Sequence, residues 1–236
     1  MGIYVDIDLD FLIKPIKQEG ENNRRLYKGE NCFVDDIYNF VSKLQSHGLL
    51  NSKEKKFFTN HKKSYTYWWI KRTTNNTVIH IDAHSDLYRN KQKDLTLLRD
   101  LDMNCDDYMW YAIRDGFISE IYWVVPDNSY DLKDEKVYKK FVPQNLLKSL
   151  VIEENLIHYT FDILTRIGEK TIDYFVLTFD KLPYFENIDL VTVATSPEFY
   201  SEKADEYIFK ALYLLGANDE EIERIKKFHL DITKAP

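Results

Sequence analysis

From Val78 to Leu87 the chain reads Val-Ile-His-Ile-Asp-Ala-His-Ser-Asp-Leu, an alternation of apolar residues with residues that can bind metal ions. In an extended strand, residues two apart project from the same face. The period of two therefore predicts a strand with Asp82, His84 and Asp86 on one face. Because a buried carboxylate without a partner is costly, this face indicates a cation site. An exposed polar face on an edge strand is the alternative.

The N-terminal segment repeats this pattern. Between Tyr4 and Leu12, the residues Asp6, Asp8 and Asp10 alternate with apolar residues and are predicted to share one strand face. Two strands of this kind favour one common site. Outward-facing aspartates on an edge strand are again the alternative, since charge there prevents unwanted pairing.

Length and composition indicate an ordinary globular protein. The 236 residues, 44% of them hydrophobic and 15% aromatic, fit one large domain or two small ones, and we predict a single domain over 1–236. The net charge of -7 argues against nucleic-acid and anionic-membrane partners. The two cysteines lack metal or disulfide spacing, and no signal peptide or membrane span is evident, so a cytoplasmic location is expected.

The apolar patterns predict an α/β fold, a mainly parallel sheet with helices on both faces. Predicted strands lie at 3–11, 56–60, 78–87, 118–125, 156–161 and 173–180, and helical patterns at 34–49, 64–71, 106–116 and 143–153. The segment 189–194 follows the preceding strand too closely for a parallel crossover and is predicted to be a loop or an antiparallel addition. The tail, 201–228, is predicted to form two helices broken at Gly216.

Ligand sites in such sheets form beyond the carboxyl ends of the strands. Asp8, Asp10, Asp86 and Asp180 lie at predicted strand ends, and His61 follows the short second strand. In contrast, His80 and Asp6 lie one step deeper on their strands. We predict that these two residues support the ligands through hydrogen bonds.

Several motifs resemble the arginase and deacetylase superfamily, the ureohydrolase-like metallohydrolases. Ile-Asp-Ala-His-Ser-Asp at 81–86 is similar to the family's Asp-Ala-His-x-Asp motif, and Thr-Asn-His at 59–61 stands where the family has a strand ending in a metal-binding histidine. Leu-Thr-Phe-Asp at 177–180 resembles the start of its Ser-x-Asp-x-Asp motif, and Ala-Thr-Ser-Pro at 194–197 resembles a following loop. With Asp-Ile-Asp-Leu-Asp-Phe at 6–11, the chain looks most like the peptide arginase branch.

The resemblance implies a three-layer αβα fold and two Mn²⁺ ions per chain, although Zn²⁺ or Fe²⁺ fits the same ligands. Leu182 stands where the family has a further aspartate, so Asp8 or Asp10 would supply a ligand or contact the substrate guanidinium. Asp180 would also relay a proton, and Glu198 would contact a cationic substrate. The implied metal ligands are His61, Asp82, His84, Asp86, Asp180, Asp8 and Asp10.

The implied activity is hydrolysis of a C–N bond, converting arginine residues of a ribosomal peptide to ornithine and urea. A small guanidino compound is a further substrate class, and homo-oligomerisation is left open. One alternative is a deacetylase-like amide hydrolase with a single Zn²⁺ held by Asp82, His84 and Asp180. Another is a metal-binding protein that has lost catalysis.

Overall fold

The computed structural model describes residues 1–88, 92–127 and 129–235. Within these residues the strands are β1 (Ile3–Asp8), β2 (Ile13–Lys14), β3 (Phe33–Val34), β4 (Lys55–Phe58), β5 (Asn76–Ile81), β6 (Ile118–Val124), β7 (Leu147–Glu153), β8 (Leu156–Thr165), β9 (Gly168–Leu177) and β10 (Leu190–Ala194). The α-helices are α1 (Ile37–Ser46), α2 (Lys63–Lys71), α3 (Tyr108–Arg114), α4 (Glu135–Tyr138), α5 (Asp205–Leu215) and α6 (Asp219–Lys234). Short 3-10 helices lie at Leu9–Leu12, Leu95–Leu97, Asp100–Asp102, Phe179–Lys181, Pro197–Phe199 and Glu202–Ala204.

Across the described residues, eight strands form one sheet in the order β4-β10-β1-β5-β6-β9-β8-β7. The pairs β4–β10, β5–β6 and β6–β9 are parallel, whereas β8 pairs antiparallel with both β9 and β7. A separate antiparallel pair joins β2 and β3. The predicted class is confirmed: an α/β protein with a mostly parallel sheet, consistent with a three-layer αβα fold.

The chain divides into two compact units, and the boundary falls inside β1. The first unit contains Met1–Asp6 and Lys62–Pro183, and the second contains Ile7–His61 and Tyr184–Pro236. Fully buried tryptophans at 68, 110 and 123 fill the core of the first unit. In the second unit, the buried faces of α1 and α5 pack together. The prediction of one domain over the whole chain stays a prediction.

The two closing helices are confirmed, and local chemistry sets their ends. Gly216 ends α5 with a φ of 100°, a left-handed conformation that glycine adopts without strain. Asn218 then begins α6 by accepting a hydrogen bond from the Glu221 amide, while the Glu221 carboxylate accepts one from the Asn218 amide. None of the helices in the described ranges is both long enough and apolar enough to cross a membrane.

Two predicted elements are wrong. The segment 143–153, predicted to be helical, contains β7, which pairs antiparallel with β8 through a tight turn where Asn155 has a φ of 59°. Segment 189–194 contains β10, a fully buried strand parallel to β4 rather than a loop or an antiparallel addition. The short connection after β9 allows this, because β10 lies next to β4 and β1 and not next to β9. A long crossover is needed only between neighbouring parallel strands.

Two glycines have left-handed backbone conformations, but only one of them is also sterically crowded. Gly48 and Gly29 have φ values of 77° and 70°, but a methyl group at Gly48 would lie 2.1 Å from the Phe185 carbonyl oxygen, whereas one at Gly29 would meet nothing within 4 Å. Gly29→Ala should therefore cost only the left-handed backbone, about 1–2 kcal/mol. Gly48→Ala should cost a further 1–3 kcal/mol or so, because the Phe185 backbone must move. Urea unfolding of both variants tests this, and equal losses would contradict it.

Candidate metal centre

The loop after β5 carries three of the predicted ligands. The strand ends at Ile81, so Asp82, His84 and Asp86 lie beyond its carboxyl end and not along one strand face. The predicted strand over 78–87 is therefore wrong in its second half, where Asp86 adopts a φ of 49°. All three side chains are nevertheless buried. The turn gathers them at the sheet edge where parallel strands place ligand sites.

The two carboxylate oxygens of Asp82 face different histidines. Oδ1 accepts a hydrogen bond from the His84 amide at 2.7 Å and lies 3.5 Å from His84 Nδ1. Oδ2 lies 3.5 Å from His80 Nε2. Asp82 would therefore be a candidate ligand beside both histidines.

Asp6 holds the ring of His80. Its Oδ2 lies 3.2 Å from His80 Nδ1, and the carboxylate also accepts hydrogen bonds from Ser64 Oγ at 2.5 Å and Tyr108 Oη at 2.6 Å. Metal-binding histidines are commonly oriented by a carboxylate on the ring nitrogen opposite the metal. The position of Asp6 fits the predicted supporting role.

His80 is placed to be a metal ligand itself, a role that the sequence did not predict. Its Nε2 lies 3.1 Å from the His84 carbonyl oxygen and 3.8 Å from Asp86 Oδ2. Burial lowers the pKa of His80, but the hydrogen bond with Asp6 and the charges of Asp82 and Asp86 outweigh it and raise the pKa overall. The ring therefore binds a proton more tightly than a free imidazole does, and a cation that binds Nε2 would compete with that proton.

Asp8 lies close to His61. Asp8 Oδ2 lies 3.3 Å from His61 Nδ1 and accepts a hydrogen bond from Ser196 Oγ. The strand β1 ends here, because Asp8 caps the 3-10 helix Leu9–Leu12 and its Oδ1 accepts from the Asp10 amide at 3.2 Å. The predicted strand over 3–11 is thus too long. Asp10 is buried on the 3-10 turn and does not alternate with Asp8 along a strand.

Two groups of buried side chains could each hold a metal ion, since the ligand atoms within each group lie within 4.8 Å of one another. The first group is His61, His80, Asp82 and Asp86, and the second is Asp10, Asp82 and His84. Asp82 belongs to both. Carboxylates and imidazoles compose both groups, and such donors suit Mn²⁺, Fe²⁺ and Zn²⁺. The residues therefore fit a metal centre, and of the predicted ligands only Asp8 and Asp180 lie outside the two groups.

The position of Asp180 differs from the prediction. β9 ends at Leu177, and the 3-10 helix Phe179–Lys181 leaves the Asp180 carboxylate exposed, where it accepts a hydrogen bond from Thr178 Oγ1. The ligands of a buried metal centre are themselves buried, whereas Asp180 is exposed. Its predicted roles as a metal ligand and as a proton relay do not fit this position.

Glu198 is buried on the 3-10 helix Pro197–Phe199, directly after Ser196, whose φ is 40°. Its Oε1 accepts a hydrogen bond from the Asn23 amide at 3.2 Å. Burial raises the pKa of Glu198 to about 7, and the negative charge of Asp8 acts in the same direction. A carboxylate of this kind gains strongly from a cationic ligand.

Residues that the sequence analysis missed support this region. The Arg25 guanidinium is buried and binds both oxygens of Asp205, at 3.0 and 3.2 Å. Asp205 Oδ1 also lies 2.9 Å from His229 Nδ1, and His229 Nε2 lies 2.9 Å from Thr195 Oγ1. This network anchors the segment that precedes Ser196 and Glu198. Arg25, Ser64 and Tyr108 lie in no motif that would have identified them, whereas Ser196 lies in the Ala-Thr-Ser-Pro motif but was given no role of its own.

Comparison of the chain with protein-family models, with curated proteins and with solved structures finds no match. Membership of the arginase and deacetylase superfamily therefore stays a prediction that rests on the motifs. The case for a metal centre rests on the burial and geometry of the two groups.

The shared position of Asp82 predicts how metal content responds to substitution. Protein supplied with Mn²⁺ should hold about two ions per chain by elemental analysis, because each group offers at least three ligands. Asp82→Asn should lose both ions, whereas Asp10→Asn should lose only one. Asp180→Asn is the matched control and should keep the wild-type content. Loss of metal from Asp180→Asn, or full content in Asp82→Asn, would contradict the assignment.

Proposed function

We propose that this protein is a metal-dependent hydrolase of C–N bonds with a two-ion centre. The observation that carries the proposal is the placement of Asp82, which belongs to both groups and turns one oxygen toward His84 and the other toward His80. Two-ion centres bridged by a carboxylate are typical of hydrolases that use water as the nucleophile.

The two groups define which residues would hold the ions. His61, His80, Asp82 and Asp86 would hold one, and Asp10, Asp82 and His84 the other. We propose Mn²⁺, with Zn²⁺ or Fe²⁺ as the alternatives that the same donors suit. When bound, such ions supply Lewis acidity and lower the pKa of a coordinated water.

The protein's own contribution is orientation. Asp6 and Asp8 lie 3.2 and 3.3 Å from the Nδ1 atoms of His80 and His61, so that each carboxylate would help to orient one histidine ring. Tyr108, Ser64 and Ser196 hold these carboxylates in turn. Supporting contacts of this kind keep the ligands in place before substrate arrives.

We propose an arginine side chain as the substrate, within a peptide. The motif resemblance favours this class, and Glu198 supports it because a buried carboxylate with a pKa near 7 favours a cationic partner. The reaction adds water across the bond between the guanidinium carbon and the side-chain nitrogen, which gives urea and an ornithine residue. The single-zinc deacetylase alternative is weaker, because Asp180, one of its three ligands, is exposed.

The activity can be tested with short arginine peptides. Mn²⁺-loaded protein should release urea and leave ornithine in the peptide, as measured by a colorimetric urea assay and mass spectrometry. Asp82→Asn should abolish both signals, while Asp180→Asn should retain them. Turnover of acetyl-lysine peptides by a one-zinc form would favour the deacetylase alternative. Absence of turnover on both substrate classes, with two ions bound, would favour a binding protein.

Glu198→Gln tests the contact with the cationic substrate. Removal of the charge should raise KM for arginine peptides by about ten-fold or more, with a smaller change in kcat, because ground-state binding is lost. The wild-type KM should also rise as the pH falls through about 7, where Glu198 becomes protonated, and this rise should vanish in the variant. Glu206→Gln, an exposed position on α5, is the control. An unchanged KM would place the substrate elsewhere.

A further inference from the structure

The outer edge of β7 is open to solvent. Among the described residues β7 is the last strand of the sheet, and it pairs with β8 on one side only. Five of its seven residues are exposed, whereas β8 alternates buried with mostly half-buried residues. In an antiparallel pair, about half of the backbone N–H and C=O groups of each strand point away from the partner strand. Those groups of β7 can therefore pair with another strand.

A bulge and a turn limit the part of β7 that can pair regularly. The register with β8 shifts between Leu147 and Ser149, which marks a bulge at the start of the strand. The other end runs directly into the tight turn at Asn155. The regular part of β7 is therefore 149–153, and its central residue is Val151.

A row of stacked rings leads across the sheet to Val151. Phe175 of β9 stacks on Tyr122 of β6 and on His158 of β8, with ring centroids 4.6 and 4.1 Å apart. Asp173 Oδ1 lies 2.8 Å from His158 Nε2 and helps to hold that ring. Val151 lies opposite His158 in the register of β7 with β8, and it is 50% exposed. The row thus stops at the sheet edge with an exposed apolar side chain.

Two copies of β7 complement each other in an antiparallel arrangement centred on Val151. Residues equally distant from the centre then face each other, so that Val151 meets Val151, Leu150 meets Ile152 and Ser149 meets Glu153. Opposed residues in an antiparallel pair project to the same face, and alternation along β7 satisfies this for all three pairs. Ile152, which is 42% exposed in one copy, gains an apolar neighbour in the second.

The charges at the ends of the segment match in the same arrangement. Lys148 precedes Ser149 and lies beside Glu153 of the second copy, so opposite charges meet at both ends. Glu153 makes no ion pair within the part of the chain that the structure describes, whereas Lys148 Nζ lies 3.0 Å from Asp162 Oδ2 of its own chain. Registers shifted by two residues would place Val151 opposite Glu153 or Ser149. The arrangement centred on Val151 therefore matches both the apolar and the charged residues.

We propose that the protein forms a symmetric dimer in which two copies of β7 pair antiparallel about a two-fold axis at Val151. The same surface serves both copies, so the assembly closes at two chains. One pair of short strands buries little area, and the Kd is on the order of 10 µM. The second copy covers an apolar sheet edge of the kind that otherwise promotes aggregation.

Sedimentation velocity of the full chain between about 1 and 200 µM should show a monomer that converts to a dimer. Val151→Lys places two like charges opposite each other at the axis and should raise the dimer Kd about ten-fold or more. Leu230→Lys, at an exposed leucine on α6, is the matched control and should dimerise as the wild type does. Thermal unfolding at low concentration checks that both variants fold. Hydrogen exchange should show added protection of amides in 149–153 at high concentration only.

Charge reversal tests the register. Lys148→Glu and Glu153→Lys should each weaken the dimer of identical chains, because like charges then meet at both ends. A mixture of the two variants should form a heterodimer, since each altered charge faces an opposite one, and native mass spectrometry distinguishes the three species.

A chain that stays monomeric up to about 200 µM would overturn the inference and leave the edge of β7 to a peptide strand of another protein. A dimer that keeps its wild-type Kd in Val151→Lys would also overturn it, because the copies would then meet through another surface. Loss of the dimer in Val151→Lys without a heterodimer preference in the mixture would contradict the register centred on Val151.

Discussion

Burial of carboxylates is the constraint on which this structure depends. Five aspartates near the carboxyl ends of β1 and β5 are almost fully removed from water: Asp6, Asp8, Asp10, Asp82 and Asp86. A charge in such a place is stable only beside donors or an opposite charge. Hydroxyl groups and imidazoles stabilise the carboxylates of Asp6 and Asp8. The ligand atoms of the other three aspartates converge with histidine nitrogens, the arrangement that a divalent cation stabilises best.

The three N-terminal aspartates differ in role according to where β1 ends. Asp6 and Asp8 are strand residues, and the carboxylate of each lies beside the ring of one histidine. Asp10 lies one turn further on a 3-10 helix and belongs to a ligand group instead. A rigid strand suits orientation, because small errors there would misplace a ring, whereas the turns bring ligands together from different parts of the chain. The end of the strand at Asp8 thus separates supporting residues from ligands.

The sequence predicted the elements whose pattern is set by burial and missed those set by position in the sheet. Periodicity identified the closing helices and the buried strands, but it could not show that the apolar segment 189–194 joins the sheet far from its chain neighbour. Alternation also failed past Ile81, where the chain turns, yet five of the seven predicted ligands still belong to the two groups, because parallel strands end at one edge. Asp180 was misplaced because a motif fixes residue types and not the direction of a 3-10 turn.

Under the proposed function, charge balance would connect the metal ligands to a guanidinium substrate. With two divalent cations bound, the ligand carboxylates of Asp10, Asp82 and Asp86 leave a small positive excess, since imidazole ligands are neutral. Such a centre would repel a guanidinium. In that case the ionised carboxylates of Asp6 and Asp8 would reverse the sign, and ionised Glu198, whose pKa the charge of Asp8 helps to raise, would add a further negative charge. The carboxylates beside the two histidine rings would therefore also make the proposed centre suitable for a cationic substrate.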